Sequence, residues 1–317
     1  MDKKELINSG KVKSVFTTDN PDEVIIEFRD DMTAGDGARK EVMDNKGAYN
    51  AVISAKIFKV LEENGVATQF VDLPEPNVMV AKKLEMIPIE VIVRNIATGS
   101  LVRKYPIDEG TKLDPPLVQM DYKDDEYHDP MLNRSLIRAL DIATDEEVDI
   151  LIEKALKINE VLTKFFADAG IILVDYKVEF GKDKDGNILL GDEISPDGCW
   201  LWDSETLEML DKELFREGKD NEVMAAYIEV YNRVIADDDK VILMLFDIEI
   251  KISLKSGMLN PEATQVERSL DLLGYEVKNV KTVETIKFQM EGEDREAIRE
   301  NVVDMCERLL CNPVIHD

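Results

Sequence analysis

Apolar residues along this chain recur at two periods, and the switches between them mark its elements. From Gly10 the string GKVKSVFT alternates, with Val12, Ser14 and Phe16 on one face and Lys11, Lys13 and Val15 on the other. VIIEF at Val24–Phe28 predicts its hairpin partner, and 78–84 and Pro88–Ile96 predict two more strands. In the second of these, Ile89, Val91 and Val93 alternate with Glu90, Ile92 and Arg94. A helical period over 48–64 places Val52, Ile53, Ile57, Val60 and Leu61 on one side, and Gly65 stops it. The stretch 112–129, with Pro115-Pro116 and the acidic run DYKDDEYHD, reads as a loop. Thr144 with Glu147 forms a capping box ahead of a long apolar stripe that Gly170 ends. A further helix is predicted over 221–235.

The clearest strand begins at Ile171. Val174, Tyr176, Val178 and Phe180 point one way, and Asp175, Lys177 and Glu179 the other. Asp185-Gly186 predicts a tight type I′ turn. That turn sets Lys184 opposite Asn187 and Glu179 directly opposite Asp192. Directly opposed residues have Cβ atoms about 5 Å apart, and two carboxylates there repel unless a cation lies between them. One or two carboxylates completed by substrate phosphates suit Mg²⁺. An exposed hairpin with a charged outer face has the same pattern, and a loop of odd length would break the pairing.

The pattern breaks at Ala236-Asp-Asp-Asp-Lys240, where a second unit is expected to begin. FDIEIKISL at 246–254 is a strand, and Asn260 caps a helix with Pro261 at its first position. Strands over 276–282 and 285–291 follow, then a helix over 293–310 burying Ile298, Val302, Met305 and Leu309. The chain is therefore an α+β protein with domains at 1–236 and 245–317, joined by a linker at 237–244, the second domain running β-α-β-β-α. Isolated His316 suits a structural or surface role.

At 317 residues the chain has room for two domains. Its formal charge of −28 argues against nucleic-acid and anionic-membrane partners. An anionic substrate must then be held by local basic groups. Lys11 and Lys13 after Gly10 form one candidate for phosphates, though the string matches neither a GxGxxG loop nor a Walker motif. A solvated edge strand guarded by lysines fits it as well. Arg94, on a strand ending in Ala97-Thr98-Gly99-Ser100, is another, against a plain helix cap beside a surface arginine. Cys199, Cys306 and Cys311 show no paired spacing for disulfides or zinc. The start lacks an apolar signal core and VILMLF at 241–246 is too short to span a bilayer, so a cytoplasmic location is expected.

Several long strings resemble the SAICAR synthetase (phosphoribosylaminoimidazole-succinocarboxamide synthase) family: GKVKSVF at 10, EFRDDMTAGDGARK at 27, KKLEMIPIEVIVRNIATGSL at 82, HDPM at 128, LVDYKVEFG at 173 and GDEISPDGCWLWD at 191. KSGMLNPEA at 255, LDLLGYEV at 270 and CERLLCNPVIHD at 306 resemble the small S subunit of phosphoribosylformylglycinamidine synthase. The resemblance implies a fusion of two purine-pathway components. It implies a two-lobed ATP-binding fold with antiparallel sheets and an ATP-dependent carbon–nitrogen ligase that joins L-aspartate to the carboxylated aminoimidazole ribotide CAIR. It further implies ATP on Gly10, Lys11, Lys13, Lys82, Leu84, Met86 and Lys123, and the ribotide on Arg94, Ser100, Asp129, Asp175 and Lys177. Mg²⁺ would sit on Glu179 and Asp192, which with Lys177 form the catalytic set. Asp36 and Arg39 lie in a motif loop without an assigned role. The S-type unit implies self-association and contacts with the large and glutaminase subunits of formylglycinamidine synthase. One position departs from the family string SPD-x-x-R-L-W-D: Trp200 stands where arginine would help hold the ribotide. Either the enzyme is impaired and survives as a scaffold, or another group substitutes, with Arg103 and Lys104 as candidates.

Overall fold

The computed structural model describes residues 3–34, 39–124, 126–235, 244–255, 257–292, 295–306 and 308. They fall into two compact units, Met1–Lys240 and Val241–Asp317. Asp36, Leu309, Cys311, His316 and nearly all of the expected linker lie outside the described residues.

The first unit opens with β1 (Leu6–Ser9), β2 (Lys13–Thr17), β3 (Glu23–Phe28), the small hairpin β4 (Asp31–Ala34) and β5 (Arg39–Val42), α1 (Lys46–Glu63), β6 (Phe70–Glu75) and β7 (Val78–Lys82). It continues through β8 (Glu85–Ile96), α2 (Gly99–Lys104), β9 (Lys112–Tyr122), β10 (Met131–Leu132), α3 (Arg134–Ala139), α4 (Asp145–Asp168), β11 (Ile171–Lys182), β12 (Ile188–Gly191), β13 (Cys199–Asp203), α5 (Glu213–Arg216) and α6 (Asp220–Val234). One sheet has the order β1-β2-β3-β7-β6; the other runs β10-β9-β8-β11-β12, with β13 also on β11. A bridge between Thr68 and Leu190 joins the two sheets.

The alternation along β11 decides which face becomes a site. Val174, Tyr176, Val178 and Phe180 are buried together with Leu151, Ala155, Ile158 and Leu162 of α4. The Tyr176 hydroxyl donates to the Ala155 carbonyl at 2.5 Å, satisfying the one polar atom on that face. Asp175, Lys177 and Glu179 consequently face away from the helix.

Two expectations for this unit are corrected. Residues 112–122 form β9 rather than a loop, paired with β8 from Ile89–Tyr122 to Arg94–Leu117 before the register shifts to Ile96–Lys112. Pro115 and Pro116 fall within that shift, where no ladder donor is required. The β11–β12 hairpin is also one residue out of the expected register: Glu179 pairs with Gly191, and Lys182 with Ile188. The Asp183 N–H donates to the Asn187 carbonyl and the Gly186 N–H to the Asp183 carbonyl, both at 3.0 Å. Lys184–Gly186 is thus a three-residue loop, with Gly186 alone at positive φ (81°). The Asp183 carboxylate selects it by accepting from the N–H groups of Asp185 (2.9 Å) and Asn187 (2.8 Å).

In the second unit, β14 (Met244–Ser253) pairs along its whole length with β15 (Val283–Gly292), and α7 (Pro261–Leu272) and α8 (Arg295–Met305) complete it. Asn260 caps α7 by accepting from the Ala263 N–H at 2.9 Å, as its sequence predicts. The expected strand at 276–282 is absent: Asn279, at φ 60°, breaks the extended run and these residues join no ladder. The described order is therefore β-α-β-α. Ile250, Ile252, Ala263 and Ile298 form its buried core.

Candidate active site

The free face of the second sheet carries its polar residues in rows across neighbouring strands. One row is Asp121 (β9), Glu90 (β8) and Glu179 (β11), with Gly191 of β12 beyond it. The next is Gln119, Ile92 and Lys177. The third is Leu117, Arg94, Asp175 and, on β13, Trp200. Lysines bind the first row together. Lys123 Nζ lies 2.9 Å from Glu179 and 3.3 Å from Glu90, and Lys177 Nζ lies 2.7 Å from Glu90. In the third row Arg94 Nη1 donates to Asp175 at 2.7 Å and Nη2 to the Ser100 hydroxyl at 3.3 Å.

Asp192 reaches this face by a route the expected register did not contain. It lies one residue past the ladder, and its left-handed backbone (φ 58°) turns it out of the strand direction. Its carbonyl accepts from Gln69 Nε2 at 2.7 Å, which anchors it to the first sheet. Its carboxylate accepts from Lys13 Nζ, which also forms an ion pair with Glu193. Lys13 therefore crosses from β2 to the second sheet. A tight Gly10–Lys13 turn sets its position, and Arg29 pins that turn through the Gly10 carbonyl (2.6 Å) and the Ser14 hydroxyl (2.7 Å).

The segment between β7 and β8 closes the same end. A Cβ on Gly181 would lie 2.8 Å from Leu84 Cβ, and one on Gly191 3.0 Å from Met86 Cε. These two glycines let Leu84 and Met86 settle beside Glu179 and Asp192. Lys82 Nζ donates to the Thr68 carbonyl at 3.3 Å, next to the junction of the sheets.

Burial and neighbouring charge divide the titratable groups. Burial, then the charge of Asp192, raises Glu179 above the usual carboxylate range, while Lys123 opposes them. Burial works against ionisation of Asp192 too, but Lys13 and Lys123 hold it below its ordinary value. Glu90 is likewise lowered by Lys177 and Lys123 against burial. Burial pushes Asp175 up to about 6, partly countered by Arg94. Burial with neighbouring Lys46, Arg216 and Lys177 brings Lys212 down to about 8, against the pull of Asp197.

The geometry gathers Lys13, Lys82, Leu84, Met86, Lys123, Glu179 and Asp192 at one end of the sheet, and Arg94, Ser100, Asp175 and Lys177 further along it. Asp129 holds a loop by accepting from the Asp124 N–H at 3.0 Å, and burial, with the charges of Glu90 and Asp129 added, raises Asp121 above its ordinary value against the hydrogen bond from Gln119. Arg39 stacks on Phe215 at 4.2 Å and pairs with Asp220, a structural clasp. Sequence reasoning missed Glu90, Asp121, Lys212 and Arg216. Glu90 alternates with core residues exactly as Arg94 does, so periodicity could have found it. The others required tertiary contacts. Among the described residues no three His, Cys, Asp or Glu side chains converge as a metal group. The fit to a cation is thus limited to two hard carboxylates, Glu179 and Asp192, with room in the coordination for phosphate oxygens and water.

A sheet face carrying paired carboxylates amid lysines and a buried arginine is that of an enzyme handling several anionic groups. Sequence comparison makes the class definite. The SAICAR synthetase family model matches residues 6–234, and that of phosphoribosylformylglycinamidine (FGAM) synthase matches 247–317. Phosphoribosylaminoimidazole-succinocarboxamide synthase from Methanobrevibacter smithii is 79% identical over 76% of this chain and 99% of its own length. The same enzyme from Methanothermobacter thermautotrophicus is 55% identical over 73% of this chain and 93% of its own length. A solved SAICAR synthetase in complex with ADP is 46% identical, covers 73% of this chain and 97% of its own, and superposes with a TM-score of 0.70. The fold and these relatives define a ligase of purine biosynthesis. The chain belongs to the SAICAR synthetase family, here fused to a unit of the formylglycinamidine synthase small-subunit type. Among its described residues no helix is long and apolar enough to cross a membrane.

Proposed function

We propose that this chain uses ATP to join the amine of L-aspartate to the carboxylate of CAIR, giving SAICAR, ADP and phosphate. A CAIR carboxylate oxygen takes the γ-phosphoryl group and ADP departs. The aspartate nitrogen then bonds to the acyl carbon, the C–O bond to phosphate breaks, and the amine loses its proton. No covalent bond to the protein is needed, so catalysis rests on positioning and charge. The observation that carries this reading is the meeting of Lys13 from one sheet with Asp192 of the other, on the face that also holds Arg94, Ser100 and Asp175. It provides a polyphosphate end and a ribotide end on one rigid surface. Lys11, Lys13, Lys82 and Lys123 would hold ATP, with Gly10 in the turn before them and the 84–86 segment against the nucleotide. Glu179 and Asp192 would hold Mg²⁺, which neutralises phosphate charge when bound. Lys177, Lys212 and Arg216 add positive charge where carboxylates of the two substrates must meet.

The second unit would act by contact. Leu259 and Leu272 are each 89% exposed, Leu273 72%, and Tyr275 63%. Large apolar side chains left in solvent at this density suit an assembly surface. Copies of this chain and the large and glutaminase subunits of formylglycinamidine synthase are the partners proposed for it.

Incubating the full chain with CAIR, ATP and Mg²⁺, with and without L-aspartate, and measuring ADP and SAICAR tests the reading. Equal ADP and SAICAR, both requiring aspartate, is expected. No ADP would instead favour a scaffold with an inactive first unit. ADP formed without need of aspartate would favour a carboxylate kinase.

A further inference from the structure

The turn that carries Lys13 has little to pack against. The β1–β2 ladder ends at Ser9–Ser14, so residues 10–12 lie past it. β1 is exposed along its length, with Leu6 at 56% and Ile7 at 50%, and Gly10 and Lys11 at the tip are exposed as well. Apolar burial therefore does not fix where this turn points. Hydrogen bonds do, and one residue supplies most of them. Arg29 Nη2 donates to the Gly10 carbonyl at 2.6 Å. Its Nη1 donates to the hydroxyls of Ser14 (2.7 Å) and Ser9 (3.0 Å) and, at 3.2 Å, to the Lys13 carbonyl. The Arg29 backbone N–H donates to the Val12 carbonyl at 2.8 Å. Within the turn, the Gly10 N–H donates to the Lys13 carbonyl at 2.9 Å.

The other end of Arg29 is rigid. The start of α1 lies against it: a Cβ on Gly47 would be 2.6 Å from the Phe28 carbonyl oxygen and 3.0 Å from the Arg29 carbonyl carbon. The Asp30 carboxylate accepts from the N–H groups of Gly47 (2.9 Å) and Asn45 (3.2 Å), and Phe28 is 3% exposed. The Arg29 backbone thus belongs to the core, while its guanidinium reaches out to the turn. Nε donates to Asp31 at 2.8 Å, which aims the fork. Nε and both Nη atoms are committed to protein oxygens, so Arg29 acts through the turn rather than on a ligand. A planar guanidinium can span oxygens set this far apart, whereas an ammonium donates from a single point. Without the fork, the nucleotide itself would have to order the turn, which lowers affinity.

We propose that Arg29 is a positioning residue for the ligase reaction: it ties the exposed β1–β2 turn to the rigid junction of β3 and α1, and so presents Lys13 preformed to the nucleotide phosphates. The inference rests on the function proposed above, which makes Lys13 a phosphate contact. It adds to that reading a residue that touches no substrate yet sets the affinity for ATP.

The test compares wild type, Arg29→Met, Arg29→Lys, Lys13→Met and Arg29→Met/Lys13→Met in the full-length chain. Arg29→Met should raise KM for ATP about tenfold and leave KM for CAIR within about twofold. Its urea unfolding midpoint, read by tryptophan fluorescence, should stay within about 0.3 M of wild type, because the turn buries little surface. Arg29→Lys keeps the charge and the apolar stem but not the fork, and should still raise KM for ATP about threefold or more. The double variant should lie within about threefold of Lys13→Met alone, because Arg29 acts through Lys13. The proposal is overturned if Arg29→Met leaves KM for ATP unaltered, if Arg29→Lys matches wild type, or if the two losses multiply in the double variant. It is also overturned if Arg29→Met weakens ATP and CAIR equally and lowers the midpoint, the mark of a purely structural role. Should wild type form no SAICAR, the functional reading fails separately. Calorimetric titration with ADP then still decides the role of Arg29: weaker binding by Arg29→Met supports it, and equal binding, or none by wild type, overturns it.

Discussion

Replacing Asp197 with asparagine should destabilise the first unit by about 3–5 kcal/mol, although Asp197 sits in a motif that reads as substrate-binding. Its carboxylate accepts from Lys46 Nζ (2.5 Å) and Asn50 Nδ2 (3.0 Å) of α1, and from the Tyr227 hydroxyl (2.5 Å) of α6. The Lys46 side chain is 0% exposed and that of Asp197 6%. Asparagine keeps the shape but removes the charge, leaving a buried ammonium uncompensated. With a urea slope of about 3 kcal/mol per molar, the unfolding midpoint should fall by about 1 to 1.7 M. Trp200 and Trp202 are the chain's 2 tryptophans, so fluorescence reads this unit alone. The double variant Lys46→Met/Asp197→Leu, which removes both charges, should recover most of the loss. The pH dependence has a definite sign. Burial opposes ionisation of Asp197, but Lys46 and then Lys212 hold its folded value well below that of the unfolded chain. Its contribution is complete above the unfolded value and lost only as pH falls through the folded one. The gap between wild type and Asp197→Asn should hold from pH 8 to 5 and narrow below about 4. A midpoint shift under about 0.3 M, or a double variant no more stable than the single, would refute the reasoning.

Glu179→Gln should lower turnover by about 10²–10³-fold and raise the Mg²⁺ concentration needed for half-activity, measured by titrating Mg²⁺ at saturating ATP. Lys13→Met should raise KM for ATP about tenfold or more while calorimetric CAIR affinity stays unchanged, if its ammonium holds the polyphosphate as proposed above. Asp175, raised to about 6, is ionised above that pH and then holds Arg94 in place. kcat/KM for CAIR should therefore climb as pH rises through about 6, and Asp175→Asn should abolish that inflection.

The local rules worked where one element decided the outcome. The Thr144 capping box, the Asn260 cap and the two faces of β11 all appear as their residues predict. They failed where a side chain competed with the backbone. The Asp183 carboxylate chose an odd loop over the type I′ turn that Asp185-Gly186 suggests, and the ladder moved by one residue. A left-handed Asp192 then compensated, returning its carboxylate to the site without a cross-strand partner. In β9 the acidic run after Met120 masked a genuine alternation, and pairing with β8 overrode it.

By itself the sequence determined the long capped helices, the strands with a clean alternation, the family and the residue types that face away from α4, because periodicity and capping act within a few residues. Only the tertiary structure decided who neutralises whom. Lys13 meets Asp192 across two sheets, Lys123 shares Glu179 and Glu90, and Asp197 is neutralised by Lys46 of α1. Such pairings depend on distances between segments far apart in the chain. So does the one departure from the family string, since only the fold shows that the indole of Trp200 rests over Gly99 with its N–H buried and unpaired.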